Sequence, residues 1–177
     1  MIEIEERARF DAATYERVKK QLEALAEEIH ADDKEVVYYI YPDKLLKAVH
    51  NISEGTCKLS YKSKKVGGGT TVKEEELILP GKHFAGLIIF CDSAYQDATK
   101  RINSPQKRTN YKIGDLEVAL KYTNDYGHHL EIDALVANEA AEASAHQKIL
   151  ALSKSLDIKL MTQQDLLDLQ KEIEAHS

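Results

Sequence analysis

The feature that most constrains this chain is a two-residue alternation in which one side of a segment is apolar and the other carries formal charge. Residues 2–9 set the pattern: Ile2, Ile4 and Ala8 fall on one side, Glu3, Glu5, Arg7 and Arg9 on the other, and Glu6 alone breaks the apolar face. Period two marks a strand whose faces meet different surroundings. The arrangement returns downstream, with Lys58 and Lys62 opposite Leu59 and Tyr61, then Glu74 with Glu76, Arg108, Glu117 with Lys121, and Glu131 with Asp133. If these strands close into one barrel, the charged faces point inward and the apolar faces meet surrounding helices. Buried ions are costly unless paired. A polyanion with divalent cations offsets that cost on both sides, since carboxylates take the metal and Lys and Arg take phosphate oxygens. Spacing alone fits equally well a plain sandwich with the charges in solvent.

The remaining pattern predicts an α+β chain, strand-dominated in the middle and helical at the end. Asp11 caps a helix on which Tyr15, Val18, Leu22, Leu25 and Ile29 recur at helical spacing. Val36–Tyr41 reads as a strand closed by Pro42, and residues 57–64 and 70–79 as two strands joined by a turn at Gly67–Gly69. Residues 83–96 fit a helix best, with Phe84, Leu87, Ile88 and Cys91 on its buried side. Strands follow at about 104–112, 115–123 and 128–136, with turns at Gly114 and 125–127. From about residue 138 the spacing is helical in two segments, the second capped by Thr162 and packing through Leu166, Leu169 and Ile173.

The 177 residues fit one domain spanning 1–177, and the 43% hydrophobic content supports a real core. The charged fraction of 31% exceeds the globular norm of about 25%. A net charge of −6 argues against nucleic acid as the main partner, although a pocket can still be locally cationic. Cys57 and Cys91 form no ligand pattern and read as reduced, partly buried thiols of a cytoplasmic chain. The N-terminus lacks a secretory apolar run, and the longest apolar run, Ala85–Cys91, is too short for a bilayer, so no membrane partner is expected.

Taken in order, several segments resemble one known family. The opening Glu3-Ile4-Glu5-Glu6-Arg7 is similar to the ExExK signature of CYTH proteins, with Arg in the Lys position. Tyr39–Asp43, Leu59-Ser60-Tyr61-Lys62 and Lys73–Glu76 resemble that family's successive strand motifs. Arg108–Asp115, Val118–Leu120, Tyr126-Gly127, Leu130–Asp133 and the tail from Leu156 to Leu167 continue the likeness, the tail toward the cyclase-like branch. The resemblance implies an eight-stranded antiparallel β-barrel, the triphosphate tunnel, with flanking and C-terminal helices. It implies Mg2+ or Mn2+ held by Glu3, Glu5, Glu131 and Asp133, and more weakly by Glu74 and Glu76. It implies phosphate ligands at Arg7, Lys62 and Arg108, with Lys58 as a further cation, and catalysis by Glu3, Glu5, Arg7 and Lys62; Lys121 is a further candidate phosphate ligand that departs from the family pattern. A homodimer rests on the likeness alone. Tyr111 looks structural.

The implied function is metal-dependent processing of a small-molecule triphosphate (ATP, thiamine triphosphate or tripolyphosphate), by hydrolysis or by cyclising ATP. The alternative is a CYTH-like domain that binds nucleotide or polyphosphate without turnover, and departures from the family pattern motivate it. Val49-His50-Asn51 stand where active relatives carry an LRxR pair, Lys121 replaces an inward Asp, and Gln106 stands where many have Lys. Lys121 would then stand in for a lost arginine charge. An empty structural barrel ranks last, because Glu3, Glu5, Lys62, Arg108 and Glu131 are all present. The Gly67–Thr71 stretch lacks the GK[ST] ending of a phosphate loop. His129 would share a face with Glu131, whereas His128 points the other way. Arg9 and Lys64 are expected to be solvated, and Lys73 and Glu75 to face away from the charged side.

Overall fold

Nine strands and four helices form among the described residues. In chain order they are β1 (Ile2–Phe10), α1 (Ala12–Leu25), β2 (Glu28–Ala31), β3 (Lys34–Ile40), β4 (Leu45–Asn51), β5 (Thr56–Lys62) and β6 (Glu74–Pro80). There follow α2 (Phe84–Ala94), β7 (Lys100–Ile113), β8 (Leu116–Thr123), β9 (Gly127–Val136), α3 (Glu142–Ser155) and α4 (Gln163–His176). The computed structural model describes residues 2–62 and 74–176, and at Glu3, Lys62, Glu74, Glu139, Gln170 and 173–176, which include the expected packing residue Ile173, it describes the backbone only. The expected Gly67–Gly69 turn, Lys64 and Lys73 lie outside the described residues.

The ladders run β1-β9-β8-β7-β3-β4-β5-β6, with β2 paired to β7 off this path. This is the expected α+β class with eight antiparallel strands in one path. The expected closure is corrected. Among the described residues β1 pairs only with β9 and β6 only with β5, so the path has two ends. The free side of β6 carries no ladder, and its Leu77 and Ile78 are exposed. Contacts group the chain into two units, Met1–Ala31 with Arg108–His176, and Asp32–Lys107.

In the first unit, the apolar faces of β1, β8 and β9 meet helices. Ile4, Ala8, Val118, Leu120, Leu130 and Ile132 pack with Val18 and Leu22 of α1 and Ile149 and Leu152 of α3. Asp11 caps α1, its Oδ1 accepting from the Thr14 N–H at 2.8 Å. The helix stops at Leu25, before the expected Ile29, which lies on β2 and is exposed. Ala26 is extended, and the Glu27 N–H donates to the Lys112 carbonyl at 2.9 Å. Pairing with β7 therefore ends the helical run, a tertiary contact overriding local spacing. Gly114 turns β7 into β8 at φ +56°, a conformation that favours glycine.

Farther along this unit, the Met161 N–H bonds the Arg7 carbonyl at 2.7 Å. Thr162 and Asp165 cap α4 reciprocally: the Asp165 N–H donates to Thr162 Oγ1 at 3.2 Å, and Thr162 N–H to Asp165 Oδ2 at 2.7 Å. Leu169 on α4 is buried as expected. Arg9 is exposed as expected, and its Nη1 donates to the exposed Glu172 at 2.8 Å.

In the second unit, α2 covers the apolar face of β3, β4 and β5. Val37, Tyr39, Leu46, Ala48 and Cys57 pack with Phe84, Leu87 and Cys91. Both thiols are free, and burial pushes their pKa values up. Asp92 of α2 accepts from the Tyr39 hydroxyl and from Arg101 Nε, each at 2.7 Å. After β6, Gly81 passes close to Gly55, donating its N–H to the Gly55 carbonyl at 2.7 Å. A Cβ at Gly81 would lie 2.7 Å from that carbonyl oxygen and 2.8 Å from its carbon, so Gly81→Ala must move backbone. It is expected to cost about 1–3 kcal/mol, read by urea denaturation. Wild-type stability in that variant would show that the turn relaxes freely. Among the described residues, no helix is long and apolar enough to cross a membrane.

Candidate functional site

The register of the first unit places the charges of three strands side by side. On β1 and β9, Glu5 lies opposite Asp133, Arg7 opposite Glu131, and Arg9 opposite His129. On β8 and β9, Glu117 lies opposite Asp133, Ala119 opposite Glu131, and Lys121 opposite His129. Because side chains alternate along each strand, these residues share the face turned away from the helix-covered core.

At the centre is Glu131. It is ion-paired through Oε2 to Lys121, and its Oε1 lies 3.4 Å from Arg7 Nε. The two partners are poorly exposed, 9% at the Lys121 side chain and 15% at Glu131. Arg7 Nη2 lies 2.5 Å from Glu5 Oε1, and its Nε donates to the same oxygen at 2.6 Å. Burial works against the Arg7 charge, but Glu5 and Glu131 outweigh it and hold its pKa above the usual guanidinium value. Burial likewise opposes ionisation of Glu131, yet Lys121 and Arg7 prevail and keep its carboxyl below the ordinary range. For Lys121 burial is the larger effect and lowers its pKa, with Glu131 opposing and the nearby Arg108 charge reinforcing the fall.

His129 lines the same face and is buried. Its pKa is pushed down to about 4, chiefly by burial and further by Lys121, while the bond to the Gly127 carbonyl opposes the shift. Nδ1 lies 3.0 Å from that carbonyl, which can only accept, so the neutral ring carries its proton on Nδ1. The Tyr126 ring packs on it at 4.3 Å between centroids.

The expected residues are thus distributed as follows. Glu5, Arg7, Lys121 and Glu131 form one connected network. Arg108, whose Nε donates to Asn110 Oδ1 at 2.6 Å, and Asp133 line a cavity of about 200 Å³ together with His30, Lys112 and Glu117. In the second unit, Lys58 is ion-paired to Glu76, and the backbones of Lys62 and Glu74 lie opposite one another in the β5–β6 ladder. The side chains of Glu3, Lys62 and Glu74 lie outside the described residues. Tyr111 is buried in the core, as a structural residue should be. Sequence reasoning missed Asn110, Lys112 and Tyr126, although the first two follow Arg108 at two-residue spacing, the signal used elsewhere. It also missed Lys47, which the β4–β5 register sets opposite Ser60, on the face of Lys58.

The described donor set around Glu131 does not fit a divalent ion. Among the described residues no three His, Cys, Asp or Glu side chains are grouped to hold a metal. Glu5 is engaged by Arg7 and Glu131 by Lys121. A divalent ion about 4 Å from an ammonium would be repelled by roughly 8 kcal/mol at an effective dielectric constant of about 20.

No family model and no curated protein matches the chain. Solved structures do. A Pyrococcus horikoshii protein superposes with a TM-score of 0.65 at 21% identity, over 89% of this chain and 92% of that one. A candidate adenylate cyclase from Vibrio parahaemolyticus gives 0.61 at 15% identity, over 90% of each chain. A Hippeastrum protein, named as a candidate adenylyl cyclase with a dominant triphosphatase activity, gives 0.58 at 15% identity, over 89% of this chain and 88% of that one. The likeness shows a CYTH-like fold.

Proposed function

We propose that the charged face of the first unit binds the phosphate chain of a small-molecule triphosphate such as ATP, thiamine triphosphate or tripolyphosphate. The observation that carries this reading is a set of three cations: Arg7 and Lys121 meet the poorly exposed Glu131, and the Arg108 charge lies near Lys121. Two acids, Glu5 and Glu131, hold Arg7 and Lys121 in place. Cations fixed before binding give directed, charge-assisted contacts to phosphate oxygens at little further ordering cost.

Binding without turnover is the form this geometry supports best, because Glu5 and Glu131, two of the acids that would hold a metal, are engaged by internal cations. A second reading, cleavage of a triphosphate with Mg2+ or Mn2+, is favoured by the neighbours named as adenylate cyclase and triphosphatase. Here the bound ion would neutralise phosphate charge. Calorimetry with tripolyphosphate and ATP, alongside assays for phosphate, pyrophosphate and cyclic AMP, separates the two. Heat without product supports binding alone, and product with Mg2+ supports the second reading. Silence in all of them removes both.

Arg108→Met is expected to weaken tripolyphosphate binding by about tenfold or more, the size of one charge-assisted contact. Unchanged affinity would remove Arg108 from the site.

A further inference from the structure

We propose that Lys121 takes the place of a divalent cation at Glu131, so that the first unit binds a phosphate chain without metal. The inference rests on the phosphate-site reading above and concerns what balances the charge there.

Both oxygens of Glu131 face cations from the two flanking strands. Oε2 meets Lys121 of β8 and Oε1 meets Arg7 of β1. The register explains how the lysine reaches. The residue directly opposite Glu131 on β8 is Ala119, whose methyl group leaves room. Lys121, two positions along on the same face, leans diagonally into that room, within reach for a long side chain. Glu5, diagonal to Glu131 on β1, is held in turn by Arg7.

A metal arriving at Glu131 would have to displace an ammonium whose side chain is only 9% exposed, next to the Arg7 guanidinium. Other described groups also face Lys121. Arg108 acts on it from β7, Glu5 from β1, and the buried His129 lies opposite it on β9. An ammonium has three donors in all. With one given to Glu131, others remain for a phosphate oxygen, and the charge a metal would bring is already part of the fold.

The test compares tripolyphosphate binding to the full chain by calorimetry in EDTA and in Mg2+. The expected result is equal affinity in the two buffers. Lys121→Met should bind about tenfold or more weakly in EDTA, the loss of a charge-assisted contact. It should recover in part with Mg2+, because Glu131 is then open to metal. Wild-type binding that vanishes in EDTA and returns with Mg2+ overturns the inference while leaving the phosphate site standing. Lys121→Met binding as tightly as wild type in EDTA also overturns it. No binding in either buffer overturns the phosphate-site reading and the inference together. Circular dichroism checks that Lys121→Met folds, and if it does not, the wild-type comparison alone decides.

Discussion

Replacing Glu131 with leucine is expected to destabilise the protein by about 3–5 kcal/mol, because it leaves the Lys121 ammonium buried without its counter-ion. The melting temperature should fall by on the order of 10 °C for a chain of this size. The expectation follows from exposure. At 9% and 15% the two side chains are too far from water for solvent to take over when one partner is removed. Arg7 would keep Glu5 as its partner, so the loss falls on Lys121. Adding Lys121→Leu to Glu131→Leu should recover most of the stability, since a matched apolar pair replaces a buried ion pair at little net cost. Urea denaturation of the two single variants and the double variant gives the coupling directly. A Glu131→Leu protein within about 1 kcal/mol of wild type would mean that the pair is solvated, as exposed ion pairs are. The phosphate-site reading would then lose its fixed cations.

The strands that carry this network were legible because each has one apolar and one charged face. Residues 2–9 and 128–136 alternate almost without interruption, and the structure pairs them residue by residue as β1 and β9. β4 was not legible for the opposite reason. Leu45, Leu46, Ala48 and Val49 are all buried, so both faces are covered and the two-residue period disappears. β2 was hidden because Ile29 continues the helical spacing of α1, and only the bond from Glu27 to Lys112 decides against the helix. Closure was not legible at all, since alternation says which face is charged and nothing about whether the end strands meet.

At the site, alternation placed Glu5, Arg7, Lys121 and Glu131 on one face, but it could not say which acid meets which base. That depends on register and on the small Ala119 opposite Glu131. A lysine two positions from an alanine reads as an ordinary strand in sequence. In the folded unit it becomes the ion pair that commits the acid. The charge state of His129 was equally out of reach, because it is set by burial and by neighbours on three strands rather than by its position in the chain.

His129 should make stability fall as pH drops below about 6.5. Its folded pKa is about 4 against an ordinary 6.5. Above about pH 6.5 the ring is neutral in both states and the stabilisation is complete. Below that pH the unfolded chain takes up a proton that the folded protein refuses, so stability is lost progressively until the pH nears the folded value. The loss should reach about 2 kcal/mol by pH 5 and about 3 kcal/mol near pH 4. The carboxyls whose pKa values are lowered, Glu131 among them, begin to lose their own contributions only as the pH approaches the ordinary carboxylate range, at the acid end of this interval. His129→Gln removes the titrating ring and keeps polar atoms on the face, so its stability should fall less steeply than the wild type's between about pH 6.5 and pH 5. Urea denaturation of both proteins across that range reads the slope, whatever the variant costs at neutral pH. Parallel slopes would show that His129 takes up its proton in the folded protein, which contradicts a ring enclosed beside Lys121 and Tyr126.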